Sequence, residues 1–199
     1  MSLLSLESFK IGFVVVAVVL FTERVLEIKF HKKIAGRIKS KWTTKAMICG
    51  HLFSFFGSLT ELLLRDQISA SIVATGFLIF GAGFLLRRWV MRTLGDLWSI
   101  DNEIRENHRL ITGGPFTLCR HPNYFAIILE IVGFCLMANA YITLTLTLSL
   151  YVPILISRIK LEEAVLSVKF KDSYKTYREN TAVLIPGIKW ELLEKLTAI

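Results

Sequence analysis

The chain is apolar and basic. Of its 199 residues 53% are hydrophobic, and the formal net charge is +8. A soluble domain averages about 45–50% apolar residues with glycine included; here the excess lies in long runs, which are typical of membrane spans. The basic residues flank these runs, where they set membrane orientation, so the composition argues against a nucleic-acid partner. The three cysteines form no CxxC pair, which argues against a disulfide framework or a metal site.

The apolar runs predict an all-α integral membrane protein with five transmembrane helices. The first run is interpreted as a retained helix and not as a signal peptide, because Met1–Glu7 has no Lys or Arg and no cleavage site follows. The last run, 123–157, is interrupted only by Glu130 and exceeds the roughly 20 residues of one span. Ala138-Asn139-Ala140 is therefore interpreted as a tight turn. The predicted spans are about 8–28, 46–64, 68–86, 123–138 and 141–157.

The basic residues predict the orientation. Lys and Arg are abundant after the first, third and fifth spans, whereas the other two loops carry almost no positive charge. The positive-inside rule then places the N-terminus outside and the C-terminus in the cytoplasm. Segments 92–122 and 158–199 become cytoplasmic parts of a single domain covering 1–199. The tail is predicted to be helical from Arg158 to about Asn180.

Two polar clusters lie at the ends of the predicted hairpin. One is Arg120-His121-Pro122-Asn123-Tyr124, and the other is Arg158 with Glu162-Glu163. Charged groups are costly beside a bilayer, so such clusters usually belong to a site. They could also be interfacial anchors or acids that favour a helix dipole. Adjacent helical residues point about 100° apart, so one Glu can face a site while the other faces an Arg or solvent.

These motifs resemble the isoprenylcysteine carboxyl methyltransferases and their prokaryotic relatives. The resemblance covers about residues 90–187 and departs from the family at Phe116, usually Tyr, and at Lys171, often Gly. Within the family, Arg24-Val25-Leu26-Glu27 and Asn139–Thr143 look closest to bacterial alkylpyrone O-methyltransferases. The resembling runs are His108–Phe116, Arg120–Tyr124, Arg158, Glu162-Glu163 and Phe170–Tyr177.

The resemblance implies S-adenosylmethionine as methyl donor, S-adenosylhomocysteine as product and a membrane-borne lipidic or prenylated acceptor. Arg120 with the His-Pro corner suits the cofactor carboxylate. Arg158 is the candidate for aiming an anionic acceptor. The predicted cofactor-binding residues are His108, Leu110, Arg120, His121, Pro122, Tyr124, Glu162 and Tyr174. The predicted catalytic residues are Arg158, Glu162 and Glu163.

The acceptor and two other function classes stay open. A carboxylate is already ionised at pH 7 and needs no base, whereas an enol or phenol would profit from one, such as His121 or a Glu. The Arg-His-Pro-x-Tyr motif also looks like one of membrane sterol reductases, so an NADPH-dependent reductase is an alternative. A non-catalytic scaffold is another. The intramembrane Glu130 is either functional or a buried hydrogen-bonding group.

Overall fold

The predicted five helices are confirmed. The structure, a computed structural model, describes residues 3–30, 37–38, 41–97, 103–104 and 109–187. Helices and predicted spans agree to within a few residues at most ends, although α5 continues well beyond the predicted fifth span. The helices are α1 (Leu3–Phe30), α2 (Lys41–Leu63), α3 (Ala70–Leu94), α4 (Pro122–Met137) and α5 (Tyr141–Asn180).

Three helices in the described part of the chain are long and apolar enough to cross a membrane. They are α2 over Trp42–Leu63, α3 and α5, while α4 is a shorter apolar helix of 16 residues. At about 1.5 Å per residue, α4 reaches roughly 24 Å, somewhat less than a bilayer core. These helices indicate an integral membrane protein. Five spans and the cytoplasmic face stay predictions.

The turn predicted between the last two spans is present. Asn139 has a φ of 52°, in the left-handed region, which Asn tolerates better than most residues. Its buried side chain accepts hydrogen bonds from the backbone N–H of Ser69, at 2.9 Å, and from the hydroxyl of Tyr141, at 3.1 Å. Asn139 therefore fixes both the hairpin and the start of α3.

Helices α3 and α4 pack backbone against backbone. A Cβ added at Gly133 would lie 2.4 Å from the Phe80 nitrogen, and one at Gly76 would lie 2.5 Å from the Met137 nitrogen. A Cβ at Gly83 would lie 2.8 Å from the Ala126 carbonyl oxygen, whereas Gly81 meets nothing within 4 Å. Small residues let membrane helices approach closely. Gly76 and Gly83 of α3 thus serve helix packing, whereas Gly81 does not.

Two short β-strands join the connecting segments. Strand β1 (Arg37–Ile38) pairs antiparallel with β2 (Glu103–Ile104). Each strand has only two residues, so the all-α prediction needs this small correction. The pairing brings together the segments that follow α1 and α3. The positive-inside argument places these same segments on one side of the membrane.

Helix α5 covers 40 residues, from the apolar segment 141–157 through the polar segment 158–180, as two helical stretches that meet at Lys171. The segment from Arg158 to Asn180 is therefore helical as predicted, except for the break at Lys171. The helix is kinked at Lys171, whose φ of 45° and ψ of −120° are not helical. Glycine adopts positive φ at little cost, whereas other residues there are strained by about 1–3 kcal/mol. This is the position where the resembling family often has Gly.

Lys171→Gly is expected to stabilise the protein. Relief of the backbone strain should raise the free energy of unfolding by about 1 kcal/mol, or about 2–4 °C in melting temperature for a chain of this size. Lys175→Gly is the control, because Lys175 is exposed and lies inside the same helix, where glycine costs about 1 kcal/mol. Thermal unfolding in detergent would contradict the prediction if both variants melted earlier than the wild type.

Candidate active site

A cavity of about 340 Å³ lies between the helices and the segment that precedes α4. This volume falls in the range of small-molecule sites. At one end it is lined by polar groups of residues 109–124 and of the polar half of α5, and at the other by side chains of α1 and α2. The cavity therefore joins the two polar motifs to the membrane-spanning part of the fold.

Arg120, which lines the cavity, forms a buried ion pair with Glu163 behind it. Arg120 Nε donates to Glu163 Oε1 at 2.8 Å, and both side chains are almost wholly buried. The Arg120 guanidinium also donates to the carbonyl oxygens of Arg178, at 2.8 Å, and Thr181, at 2.6 Å. Backbone hydrogen bonds from Arg120 to Ala182 and from His121 to Val183 continue this contact. The pair holds the Arg-His-Pro corner against the end of α5.

His121 shares the same carboxylate. Its Nε2 lies 3.1 Å from Glu163 Oε1, and its ring stacks on Tyr124 with centroids 5.6 Å apart. Burial alone would raise the pKa of the Glu163 carboxyl, but the hydrogen bond from His121 and the charge of Arg120 lower it to about 2. Glu163 is therefore ionised at neutral pH and accepts from both groups. Pro122 follows as the first residue of α4, where the missing N–H costs nothing.

A second chain of hydrogen bonds leads into the cavity. Arg158 Nε donates to the Tyr124 hydroxyl at 2.9 Å, and that hydroxyl donates to Glu162 Oε2 at 2.6 Å. Arg158 also donates to the Thr44 hydroxyl of α2, at 2.9 Å. Glu162 lines the cavity, whereas its neighbour Glu163 faces Arg120. This arrangement matches the angular offset of adjacent helical residues.

Most of the predicted site residues surround this one cavity, and their roles stay predictions. Glu163 lies behind the wall as described above, and His108 lies outside the described residues. The predicted residues that line the cavity are Leu110, Arg120, His121, Pro122, Tyr124, Arg158, Glu162 and Tyr174.

Two polar residues at this end were missed by the sequence argument. Arg109 lines the cavity, is exposed and has no ion-pair partner within the described ranges. Asn123 also lines the cavity, and its Oδ1 is buried without a hydrogen-bond partner among the described residues. Both lie inside motifs that were identified from the sequence, and this position was the sign that could have marked them as site residues. Each offers hydrogen-bonding capacity that the described part of the chain does not use.

A network of charged residues lies between α1, α3 and α4. Glu130 binds both Arg24 and Arg87, with Arg87 Nε 2.8 Å from Glu130 Oε1. Arg87 also binds Glu27. Glu130 is therefore an ion-paired group that joins three helices. The network could not be found by spacing, since its members come from three separate helices.

Known proteins share sequence similarity with this chain. The model of the isoprenylcysteine carboxyl methyltransferase family matches residues 74–168. An uncharacterised protein of Haemophilus influenzae is 32% identical over 62% of this chain and 72% of its own length. A probable protein-S-isoprenylcysteine O-methyltransferase of Oryza sativa subsp. indica is 28% identical over 87% of this chain and 94% of its own. The chain belongs to the isoprenylcysteine carboxyl methyltransferase family.

A fungal member extends the comparison. The protein-S-isoprenylcysteine O-methyltransferase of Schizosaccharomyces pombe is 34% identical over 58% of this chain and 49% of its own length. Membership of the isoprenylcysteine carboxyl methyltransferase family confirms the predicted class, an O-methyltransferase with apolar membrane helices. The family match includes α3, α4 and α5 through Glu162 and Glu163. It does not include α1 and α2, which form the other end of the cavity.

Proposed function

We propose that the protein transfers a methyl group from S-adenosylmethionine to an oxygen of a lipidic acceptor in the membrane. The observation that carries this proposal is the single cavity with two different ends. One end is lined by Arg, His, Tyr and Glu side chains of the motif clusters. The other is lined by apolar side chains of α1 and α2, together with His51 and the ion-paired Arg24, Glu27 and Arg87. A polar donor and an apolar acceptor therefore have complementary surfaces within one space.

The residues at the polar end fit the donor. When bound, S-adenosylmethionine supplies an electrophilic methyl group on a sulfonium. Its amino-acid part carries an ammonium and a carboxylate, for which Glu162 and Arg109 provide opposite charges. Asn123 Oδ1, which has no hydrogen-bond partner among the described residues, suits an N–H or hydroxyl donor. The contacts of Arg120 described above are to Glu163 and to backbone carbonyls, so its role here is to support the pocket.

Positioning is the main contribution of the protein to such a reaction. Holding two reactants in alignment can supply about 7–11 kcal/mol of barrier reduction in favourable cases. Arg158 lines the cavity next to Glu162, and its guanidinium suits an anionic acceptor oxygen. The rice and fission-yeast relatives are named for isoprenylcysteine, so a prenylated cysteine carboxylate is one acceptor to test, beside a lipidic enol or phenol.

Ligand binding tests the proposal against a reductase. S-adenosylhomocysteine should raise the melting temperature of the detergent-purified protein, and NADPH should not, because only the former offers the ammonium and carboxylate that Glu162 and Arg109 would bind. Stabilisation grows with ligand concentration relative to the dissociation constant. A shift with NADPH alone would favour the reductase, and no shift with either ligand would favour a scaffold.

The orientation of the chain is a further part of the proposal. We expect residue 1 outside and residue 199 in the cytoplasm, where a soluble donor can reach the polar end. Reporter fusions after Gln67 and Asn139 should be external, and fusions after Lys39, Asn107 and Ile199 internal. A C-terminus on the outside would contradict this arrangement, since both motif clusters would lose access to a cytosolic donor.

A further inference from the structure

His51 lies within the membrane-spanning α2, on the wall of the cavity. It lines the same space as Glu162, and the residues around it are mainly apolar, such as Val25, Ile48 and Leu52. Neither the motifs nor the family match at residues 74–168 include this position. The cavity thus has an imidazole among the side chains that would surround a lipid.

The hydrogen bonds of His51 fix which ring nitrogen is free. Its Nδ1 lies 2.9 Å from the carbonyl oxygen of Met47. A carbonyl oxygen can only accept, so Nδ1 carries the hydrogen, and in a neutral imidazole the lone pair then resides on Nε2. Within the described part of the chain, Nε2 has no hydrogen-bond partner. His51 therefore presents an unused hydrogen-bond acceptor.

Tyr151 of α5 holds the imidazole in place. Its hydroxyl is 3.3 Å from His51 Nδ1, and the two rings meet edge to face with centroids 5.4 Å apart. Tyr151 is fully buried, and a Cβ added at Gly50 would lie 2.7 Å from its ring. Glycine at position 50 is therefore what allows α2 and α5 to approach closely enough for this contact. The ring orientation is set before any ligand binds.

The positive and negative charges near His51 balance one another. Arg24 and Arg87 line the cavity, but both bind Glu130, and Arg87 also binds Glu27. Arg88 binds Glu23. The network thus balances three guanidiniums against three carboxylates: Arg24, Arg87 and Arg88, and Glu23, Glu27 and Glu130. The cavity wall near His51 therefore has little net positive charge with which to bind a carboxylate, but its imidazole can act as a base.

We propose that His51 Nε2 accepts the proton of a hydroxyl-bearing lipid, an enol or a phenol, during methyl transfer. The inference rests on the proposed function and narrows its acceptor to a hydroxyl. The O–H proton passes to Nε2, the acceptor oxygen forms the new O–CH₃ bond, the S–CH₃ bond of the donor breaks, and its sulfonium becomes a neutral thioether. His121 is the base that was considered from the sequence, but its Nε2 already forms a hydrogen bond with Glu163.

The test compares two long-chain phenols of different acidity. With an ordinary alkylphenol, His51→Ala should lower turnover about a hundredfold, within the usual contribution of a general base. With a polyfluorinated phenol of the same chain length, which is ionised at neutral pH, the deficit should shrink below about tenfold. The affinity for S-adenosylhomocysteine should stay within about twofold. Cys49→Ala, an exposed neighbour on α2, should behave as the wild type.

Any of the following outcomes would contradict the inference. Equal deficits with both phenols would give His51 a packing role only, and full activity of His51→Ala would give it no role in turnover. If wild-type protein binds S-adenosylhomocysteine but methylates only a prenylated cysteine carboxylate, or no phenol at all, the hydroxyl acceptor is wrong while the proposed donor stands. If wild-type protein does not bind S-adenosylhomocysteine, the proposed function itself fails.

Discussion

Glu163→Gln should destabilise the protein strongly, by about 3–5 kcal/mol. The substitution leaves the buried Arg120 guanidinium without its carboxylate, and removing one partner of a buried ion pair costs about this much. For a chain of this size the melting temperature should fall by roughly 10 °C. Glu162→Gln is the matched control, because Glu162 is the adjacent residue and its side chain is 34% exposed.

The Arg120–Glu163 ion pair also governs how the stability of the protein falls at acidic pH. The pKa of Glu163 is lowered to about 2 in the folded protein, against an ordinary value near 4.3 in the unfolded chain. Its stabilisation is therefore complete above about pH 5 and is lost as the pH falls from there towards 2. Melting curves in detergent at several pH values should show a steeper acid loss for the wild type than for Glu163→Gln. Parallel curves would contradict this assignment.

Glu162→Gln should weaken donor binding about ten- to hundredfold while the fold stays intact. The lost interaction is a charge-assisted hydrogen bond to the donor, worth roughly 1.5–3 kcal/mol. Tyr124→Phe should give a smaller loss, because Glu162 keeps its charge but loses the hydroxyl that holds it at 2.6 Å. Calorimetric titration with S-adenosylhomocysteine measures both variants. Wild-type affinity in Glu162→Gln would remove this residue from the donor site.

Substitution of Arg158 is expected to affect both turnover and donor binding. The sequence argument assigns Arg158 to the acceptor, so Arg158→Ala should reduce turnover. In the structure its Nε donates to Tyr124, which in turn holds Glu162, so a moderate loss of donor affinity should accompany the loss of turnover. Lysine at this position cannot reproduce the planar guanidinium.

Local patterns in the sequence were sufficient for much of the fold. The length of the apolar run and the polar Asn139 within it correctly predicted the hairpin. The kink at Lys171 was not foreseen, because a lysine gives no sign of a positive φ. The departure from the family's glycine at this position was noted, but its backbone consequence was visible only in the structure.

The site was predictable where its residues are close in sequence. The Arg120–Tyr124 run and the Glu162-Glu163 pair carry a recognisable motif, so their meeting around one cavity was expected. The Arg24, Arg87 and Glu130 network depends on contacts between three helices that no spacing within one helix reveals. The sequence gives no partner for His51, since Tyr151 lies 100 residues further along the chain.

The most direct test of the central claim is transfer of label from methyl-labelled S-adenosylmethionine into the lipid extract of membranes that contain the protein. We predict a labelled, membrane-extracted product whose mass exceeds that of its acceptor by one methylene, formed by the wild type and greatly reduced in Glu162→Gln. Labelling that is equal with and without the protein, while the wild type is folded and present in the membrane, would contradict the account.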